Sequence, residues 1–200
     1  MSNHYILNRL ESKSAWIYTP SRPDERNLGY DASLQNYKAT MVQYKKVTRI
    51  NTSDQGISIT LNYDQHLCLI KNFPPVGLPY VFYCFSGYQS YRMIDLHYIN
   101  MGSPAFFYFS LFFDVHAFPS HVTSLRLFGD GRLRAYLGSG NYSSRIRYYC
   151  GPTWVDGIKH CKIGSPIQQL GEYIDAYGST DSLPPRLNYI YVPMSDIIDE

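Results

Sequence analysis

Residues 125–137 read LRLFGDGRLRAYL, and this stretch decides the fold class of the chain. Leucines alternate with arginines on both sides of Gly129-Asp130-Gly131. Alternation with a period of two is typical of a strand that has one buried face. The Gly-Asp-Gly segment is a strong signal for a tight hairpin turn. The stretch therefore predicts two antiparallel strands, at 125–128 and 133–137.

Short strand-like segments recur on both sides of this hairpin. Ile57, Ile59 and Leu61 alternate with polar residues, which predicts a half-buried strand. Further strands are predicted at 67–70, 80–85, 93–99, 105–113, 145–150 and 187–192. A chain of many short strands separated by turns favours a mainly β fold, here an antiparallel β-sandwich of the jelly-roll kind.

The N-terminal part of the chain predicts helices and an arm. An apolar cluster, followed by two prolines and a charged run, indicates that residues 1–30 form a helical arm that contacts other copies of the chain. Residues 31–46 predict a helix, because apolar side chains recur there at helical spacing. The rest, 47–200, forms the sandwich body of a single domain, with a short helix near 166–177. The predicted contact residues are Tyr5, Ile6, Leu7, Leu10, Tyr37 and Tyr44.

The composition favours association between protein surfaces. Tyrosine accounts for 20 of the 200 residues, and aromatic residues make up 16% of the chain. A tyrosine offers a large apolar surface with a polar tip and loses little entropy when it is held in place. Charged residues make up only 17%, and the net charge is +2. A low net charge favours association between copies over solubility, and it gives no general attraction to nucleic acid.

One loop has residues that suit an anion. Gly138, Ser139 and Asn141, followed by Arg145, offer backbone amides, hydroxyls and a cation to a phosphate group. The segment lacks the lysine and the helix context of a P-loop. A plain loop between two strands is the more ordinary interpretation of the same turn-forming residues.

The sequence predicts neither an enzyme nor a metal site. Asp114, His116 and His121 offer an acid–base pair without a nucleophile motif around them. The cysteines lack the close spacing of a zinc site, and we expect free thiols and no required cofactor. We find no apolar stretch long enough for a signal peptide or a membrane span, so we expect a protein made in the cytosol, without a membrane partner.

The layout of the chain resembles that of the polyhedrins, the occlusion-body proteins of cypoviruses. The resemblance covers the whole chain: an N-terminal helical arm precedes a tyrosine-rich, strand-dense body with segments such as Tyr80-Val81-Phe82-Tyr83 and Arg147-Tyr148-Tyr149. It implies a jelly-roll-like sandwich, trimers joined through helical arms, and crystals that grow around virus particles in the host cytoplasm. It also implies that a nucleotide can bind at contacts between molecules, although it assigns no residues to that site.

The function predicted from these observations is structural. Copies of the chain would pack into a protective lattice that dissolves at alkaline pH, where tyrosines ionise. A viral jelly-roll capsid protein is one alternative, although the first thirty residues do not form the basic run that would hold a genome. A lectin-like module is another, with Trp154 and Tyr142 stacking on sugars.

Overall fold

The computed structural model of the chain describes residues 3–18, 37–45, 47–51, 56–75, 77–88, 91–102, 104–120, 124–128, 134–137, 144–166 and 187–197. The helices in these ranges are α1 (Asn3–Leu10), α2 (Tyr63–Asn72), α3 (Tyr91–Met101), α4 (Pro104–Tyr108) and α5 (Gly151–Lys159). The strands are β1 (Trp16–Tyr18), β2 (Tyr37–Tyr44), β3 (Arg49–Asn51), β4 (Gly56–Thr60), β5 (Val81–Ser86), β6 (Ser110–Asp114), β7 (Ser124–Phe128), β8 (Arg134–Leu137), β9 (Ser144–Ile146), β10 (Tyr149–Cys150), β11 (Ser165–Pro166) and β12 (Asn188–Pro193). Single 3-10 turns lie at Val115–Ala117 and Met194–Asp196.

The described strands form two sheets. The larger has the order β1-β12-β2-β5-β6-β10, with β11 also pairing with β2. The smaller has the order β3-β4-β7-β8-β9 and is antiparallel throughout. In the larger sheet β2 and β5 run parallel, with Met41 opposite Val81. The fold is therefore a mixed sheet arrangement with a few helices, and the prediction of a wholly antiparallel body is wrong at this pair.

Side chains from both sheets meet in one apolar core. Met41, Tyr83 and Phe113 come from the larger sheet, while Ile59 and Leu127 come from the smaller one. Each of these side chains is almost completely buried. Burial of this kind stabilises the fold by roughly 25 cal/mol for each Å² of apolar surface removed from water. The two sheets therefore pack through a shared interior.

The opposite face of the larger sheet is covered by helices. Val42, Phe82 and Phe112 lie next in sequence to side chains of the first core, yet they belong to a second core that includes Ile6 of α1 and Trp154 of α5. Neighbouring residues of a strand point to opposite faces, so the central strands have apolar side chains on both. A strand covered on both faces is a continuous apolar run without alternation.

This two-sided burial explains why the helix predicted over 31–46 is wrong. Within it, residues 37–44 form strand β2, in which six consecutive residues are buried. Tyr37, Met41 and Tyr44 do recur at helical spacing, but the residues between them are buried as well. The first part of that range, 31–36, lies outside the described residues.

Two predicted strands are helices instead. The segment 67–70 lies in α2, which Asn62 caps by accepting a hydrogen bond from the Gln65 amide at 2.9 Å. The segment 93–99 lies in α3, and 105–113 divides into helix α4 and strand β6. Short apolar runs do not distinguish a strand from a buried helix, and the cap of α2 was the signal that the prediction missed.

A third helix was missed at a proline. No helix was predicted directly after the strand at 145–150, but α5 begins at Gly151 with Pro152 in its first turn. Proline is tolerated at that position because its missing amide would have had no partner within the helix. The predicted strand at 145–150 is divided between the two sheets, as β9 and β10.

Several predictions are confirmed. The strands predicted within 57–61, 80–85 and 187–192 are β4, β5 and β12, and residues 1–30 contain a helix, α1. Strands β7 and β8 pair as predicted, with Leu125 opposite Leu137. The turn between them and the helix predicted near 166–177 lie outside the described residues, apart from Pro166, which belongs to β11.

Candidate functional site

Helices α3 and α4 carry an exposed apolar surface. Ile99 is 78% exposed, whereas isoleucine side chains are usually buried in folded proteins. Five more large side chains of the two helices are also exposed. We call this set the α3–α4 surface: Leu96, Tyr98, Ile99, Met101, Phe106 and Tyr108.

Aromatic stacking attaches helix α3 to the body. The imidazole of His97 lies flat on the ring of Phe109, with centroids 4.0 Å apart. Tyr88 adjoins both rings, at 5.7 Å from His97 and 5.2 Å from Phe109. None of the described side chains of α3 is fully buried. The stacking therefore holds the helix to the body, while four of its described apolar side chains, Leu96, Tyr98, Ile99 and Met101, face outward.

The two helices also contact each other through this surface. The rings of Tyr98 and Phe106 lie 5.9 Å apart, which joins the exposed groups of α3 to those of α4. Exposed charged residues, Arg92 and Asp95, lie on the same helix as the apolar groups. An apolar patch bordered by polar groups is typical of a protein interaction site. The arrangement is suited to binding another apolar surface.

The predicted contacts of the arm need a correction. Ile6 and Leu10 are buried inside their own chain, in the core beneath the larger sheet. Tyr5 and Leu7 are half-buried and pack against the same core. The apolar cluster of α1 is therefore already covered, and Ile6 and Leu10 are not free to meet another copy.

Ion pairs reinforce the docking of α1. Lys159 Nζ lies 3.0 Å from Glu11 Oε2, and Arg9 lies 3.7 Å from Asp156. Exposed pairs of this kind contribute little, about 0 to 1 kcal/mol each. The burial of the apolar face of α1 is therefore the larger effect in keeping this helix on the body.

The other predicted residues are dispersed. Tyr37 is half-buried against the core between the sheets, and Tyr44 is exposed at the end of β2. Arg145 is exposed on β9, where it lies opposite Tyr136 of β8. The remaining residues of the predicted anion loop, Gly138, Ser139 and Asn141, lie outside the described residues.

A buried polar cluster lies where the sequence suggested acid–base chemistry. His66 is fully buried; its Nε2 lies 3.1 Å from the carbonyl oxygen of Phe118 and its Nδ1 lies 2.9 Å from the Tyr83 hydroxyl. A carbonyl only accepts, so Nε2–H donates to Phe118 and the Tyr83 hydroxyl donates to Nδ1. Burial lowers the pKa of His66, because imidazolium would lose its hydration.

Burial also shifts the pKa of three ionisable groups on or next to strands β2, β5 and β6. Lys45 Nζ lies 5.3 Å from the centroid of the Tyr83 ring and donates to Gln65 Oε1 at 2.9 Å. Burial lowers the pKa of Lys45 to about 8 and raises the pKa of Tyr83. Burial also raises the pKa of Asp114. Desolvation therefore shifts each of these groups toward its uncharged form.

The cluster functions as a structural network. Both ring nitrogens of His66 are occupied by the protein itself. Asp114 Oδ1 accepts a hydrogen bond from the backbone amide of His116 at 3.0 Å and so begins the 3-10 turn. Its contact is with the His116 backbone, so this hydrogen bond does not make the predicted acid–base pair. His121 lies outside the described residues.

Two further features bear on binding. Trp154 is completely buried, so the sugar-stacking role considered for this residue is wrong. Among the described residues, no three histidine, cysteine or acidic side chains come together as metal ligands. The four cysteines are free thiols, with Cys84 buried and the others half-buried.

Comparisons with known proteins give no relative for this chain. No family model matches it, and neither does any curated protein or solved structure. No helix in the described part of the chain has the length and apolar character needed to cross a membrane.

Proposed function

We propose that this protein is a structural self-assembly protein whose copies pack through the α3–α4 surface. The observation that carries the proposal is the exposure of six large apolar side chains on two adjoining helices. Transfer of such groups from water into a contact is favourable by roughly 25 cal/mol per Å². The occupant proposed for this surface is a second copy of the same chain, which presents the same apolar groups.

The amino-acid composition supports the same function. Tyr98 and Tyr108 contribute ring surface and a hydroxyl each to the α3–α4 surface. The hydroxyl groups can hydrogen-bond across a contact, which gives an apolar interface directional specificity. The low charged fraction reduces repulsion between copies.

The finer form of the proposal is a lattice protein of the occlusion-body kind. In this form the repeating unit is a trimer, virus particles are the cargo, and assembly takes place in the host cytoplasm. A nucleotide bound between molecules belongs to the same proposal, without residues assigned to its site. Anion binding by the loop of Gly138, Ser139, Asn141 and Arg145 is a separate part of the proposal. The shared core of the two sheets supports interpretation of the body as a β-sandwich, with a parallel pair that departs from the jelly-roll pattern.

Expression of the chain by itself tests this function. We expect full-length protein produced in insect cells to accumulate as ordered particles whose lattice gives sharp diffraction rings. No second viral protein should be required, because the proposed contacts are between copies of one chain. Protein that stays dispersed and monomeric at the highest concentration reached in the cell would contradict self-assembly.

A further inference from the structure

We propose that Lys38 and Cys161 form a peroxide-sensitive modification site, at which oxidation of the thiol ends in a covalent bond between the two side chains. The ligand class is a hydroperoxide. The site is separate from the α3–α4 surface and does not depend on the proposed assembly.

The two side chains are in direct contact. Lys38 Nζ donates a hydrogen bond to Cys161 Sγ, although 123 residues separate them in the sequence. Lys38 lies on strand β2, where it is opposite Pro166 of β11 and Val192 of β12. Cys161 lies in the turn that follows α5. The contact thus joins a central strand to the end of a helix.

Lys38 is a buried lysine, and its contact with the Cys161 sulfur gives the ammonium group a polar partner. Lys38 is only 7% exposed, which is rare for a lysine. Among the residues that the structure describes, the ion pairs are those of Arg9 and Lys159, and none involves Lys38. A buried ammonium group needs an anionic or polar partner. The Cys161 sulfur occupies that position.

The backbone holds Cys161 firmly in place. Its φ of 57° lies in the left-handed region, which is uncommon for a residue with a β-carbon. The amides of Lys162 and Ile163 both donate to the Gly157 carbonyl, at 2.8 and 3.0 Å. The side chain of Cys161 is half-buried, so part of it remains accessible to a small oxidant. The turn therefore keeps the thiol beside the amine while a hydroperoxide can reach it.

The chemistry follows in two balanced steps. The thiolate is the nucleophilic form of cysteine, and a neighbouring ammonium group stabilises it. The thiolate sulfur attacks hydrogen peroxide and the O–O bond breaks, so that sulfur is oxidised by two electrons to a sulfenic acid. The departing hydroxide takes a proton from the Lys38 ammonium group, which gives water and leaves the Lys38 amine uncharged. The uncharged Lys38 amine then attacks sulfur. A sulfur–nitrogen bond forms, the sulfur–oxygen bond breaks, and the hydroxyl group leaves as water with a proton from nitrogen.

Two other cysteines provide internal controls. Cys68 accepts a hydrogen bond from the Asn72 side-chain amide at 3.2 Å, and Cys150 lies 3.2 Å from the Thr153 hydroxyl. Both are half-buried like Cys161. Their partners in these two contacts are an amide and a hydroxyl, whereas the partner of Cys161 is a lysine.

The experiment treats the purified full-length protein with dilute hydrogen peroxide and follows each cysteine by peptide mass spectrometry. We expect Cys161 to react at least about tenfold faster than Cys68 and Cys150, as a thiol beside a cation should. The main product should be a linked pair of peptides containing Lys38 and Cys161, with the summed mass less two hydrogen atoms. Dithiothreitol should restore the separate peptides.

Two variants separate the steps. Lys38→Arg keeps a cation beside the sulfur and should allow oxidation of Cys161 without the linked peptide, whereas Cys161→Ser should abolish both. Circular dichroism checks the fold of each variant, and the wild-type measurement decides the proposal even if a variant misfolds. The proposal is overturned if wild-type Cys161 reacts no faster than the two control cysteines, or if peroxide yields no link to Lys38.

Discussion

The ring of Phe112 lies flat against the indole of Trp154, with centroids 4.1 Å apart and planes inclined by 7°. This contact joins strand β6 to helix α5, and Phe82 of β5 meets the same indole edge-on at 5.8 Å. The covered outer face of the larger sheet is therefore organised around one tryptophan. Because helices cover this face, the central strands bury side chains on both faces and lack the alternation of half-buried strands.

Replacement of this tryptophan should be strongly destabilising. Trp154→Ala removes the largest side chain among the fully buried ones that the structure describes, and it leaves a cavity between sheet and helix. The free energy of unfolding should fall by about 3 to 5 kcal/mol, as for other buried aromatic truncations. Urea unfolding monitored by circular dichroism measures the change. Tyr63→Ala, at a residue that is 50% exposed, is the matched control and should change stability little.

Two glycines of α5 should respond differently to alanine. A β-carbon at Gly151 would lie 2.2 Å from the Phe107 carbonyl oxygen, which is backbone and cannot move away cheaply. A β-carbon at Gly157 would lie 2.6 Å from the end of the Ile163 side chain, which can rotate. We expect Gly151→Ala to cost roughly 1 to 3 kcal/mol through overpacking. Gly157→Ala should cost less, since helix propensity offsets about 1 kcal/mol. Equal thermal shifts in the two variants would contradict this account.

Acid should weaken the fold through His66. Burial lowers the pKa of this residue, and the positive charges of His116 and Lys45 act in the same direction. The unfolded chain therefore binds a proton at His66 more readily than the folded chain does. Stability is fully present above pH ~6.5 and falls as pH drops below it. His66→Gln should make the unfolding midpoint less dependent on pH between about 5 and 7, the range around the ordinary pKa of histidine.

The titration of Asp114 changes stability with pH in the opposite direction to that of His66. The experiment therefore needs a variant of Asp114 as a control. Burial raises the pKa of Asp114, so the folded chain holds this proton more tightly and stability falls as pH rises above about 4. The Asp114→Asn variant removes that contribution. If the stability of the Asp114→Asn variant, with His66 in place, does not change between pH 7 and pH 5, the role given to His66 is contradicted.

Alkali should dissolve the proposed assembly. Tyrosines ionise near pH ~10, and a phenol packed against another molecule is favoured in its neutral form. Cohesion is thus present below the ordinary tyrosine pKa and is lost as pH rises through the higher value in the contact. The variant Tyr98→Phe/Tyr108→Phe should remain assembled to higher pH than the parent, as measured by turbidity at fixed salt. Identical dissolution curves would argue against these two tyrosines as the trigger.

The sequence predicted the smaller sheet better than the larger one. Strands β4, β7 and β8 have one buried face, so Ile59, Leu125 and Leu127 alternate visibly with polar residues. Strand β2 has apolar partners on both faces, and its side chains gave a misleading helical spacing. Helix α3 was mistaken for a strand because exposed apolar residues such as Leu96 and Ile99 lie among its polar ones, so no separate apolar and polar faces are visible in the sequence.

The sites were less predictable than the strands, because they depend on contacts between distant segments. The arm residue Ile6 was expected at a contact between copies, but helix α5 of the same chain covers it. Ile99 is exposed because no other described part of the chain packs over its side chain, and the local sequence does not predict that. The contact between Lys38 and Cys161 joins residues that are 123 positions apart, and no local pattern around either residue indicated it.

The most direct test of the central claim compares two lysine substitutions by sedimentation velocity over a range of concentrations. Ile99→Lys places a charge on the α3–α4 surface at its most exposed apolar residue, whereas Tyr63→Lys places one on another exposed helix residue, outside that surface. Self-assembly through the α3–α4 surface predicts that the parent and Tyr63→Lys form large species as concentration rises, while Ile99→Lys stays monomeric with the parent's thermal stability. Assembly of Ile99→Lys to the same extent as the parent would contradict the claim.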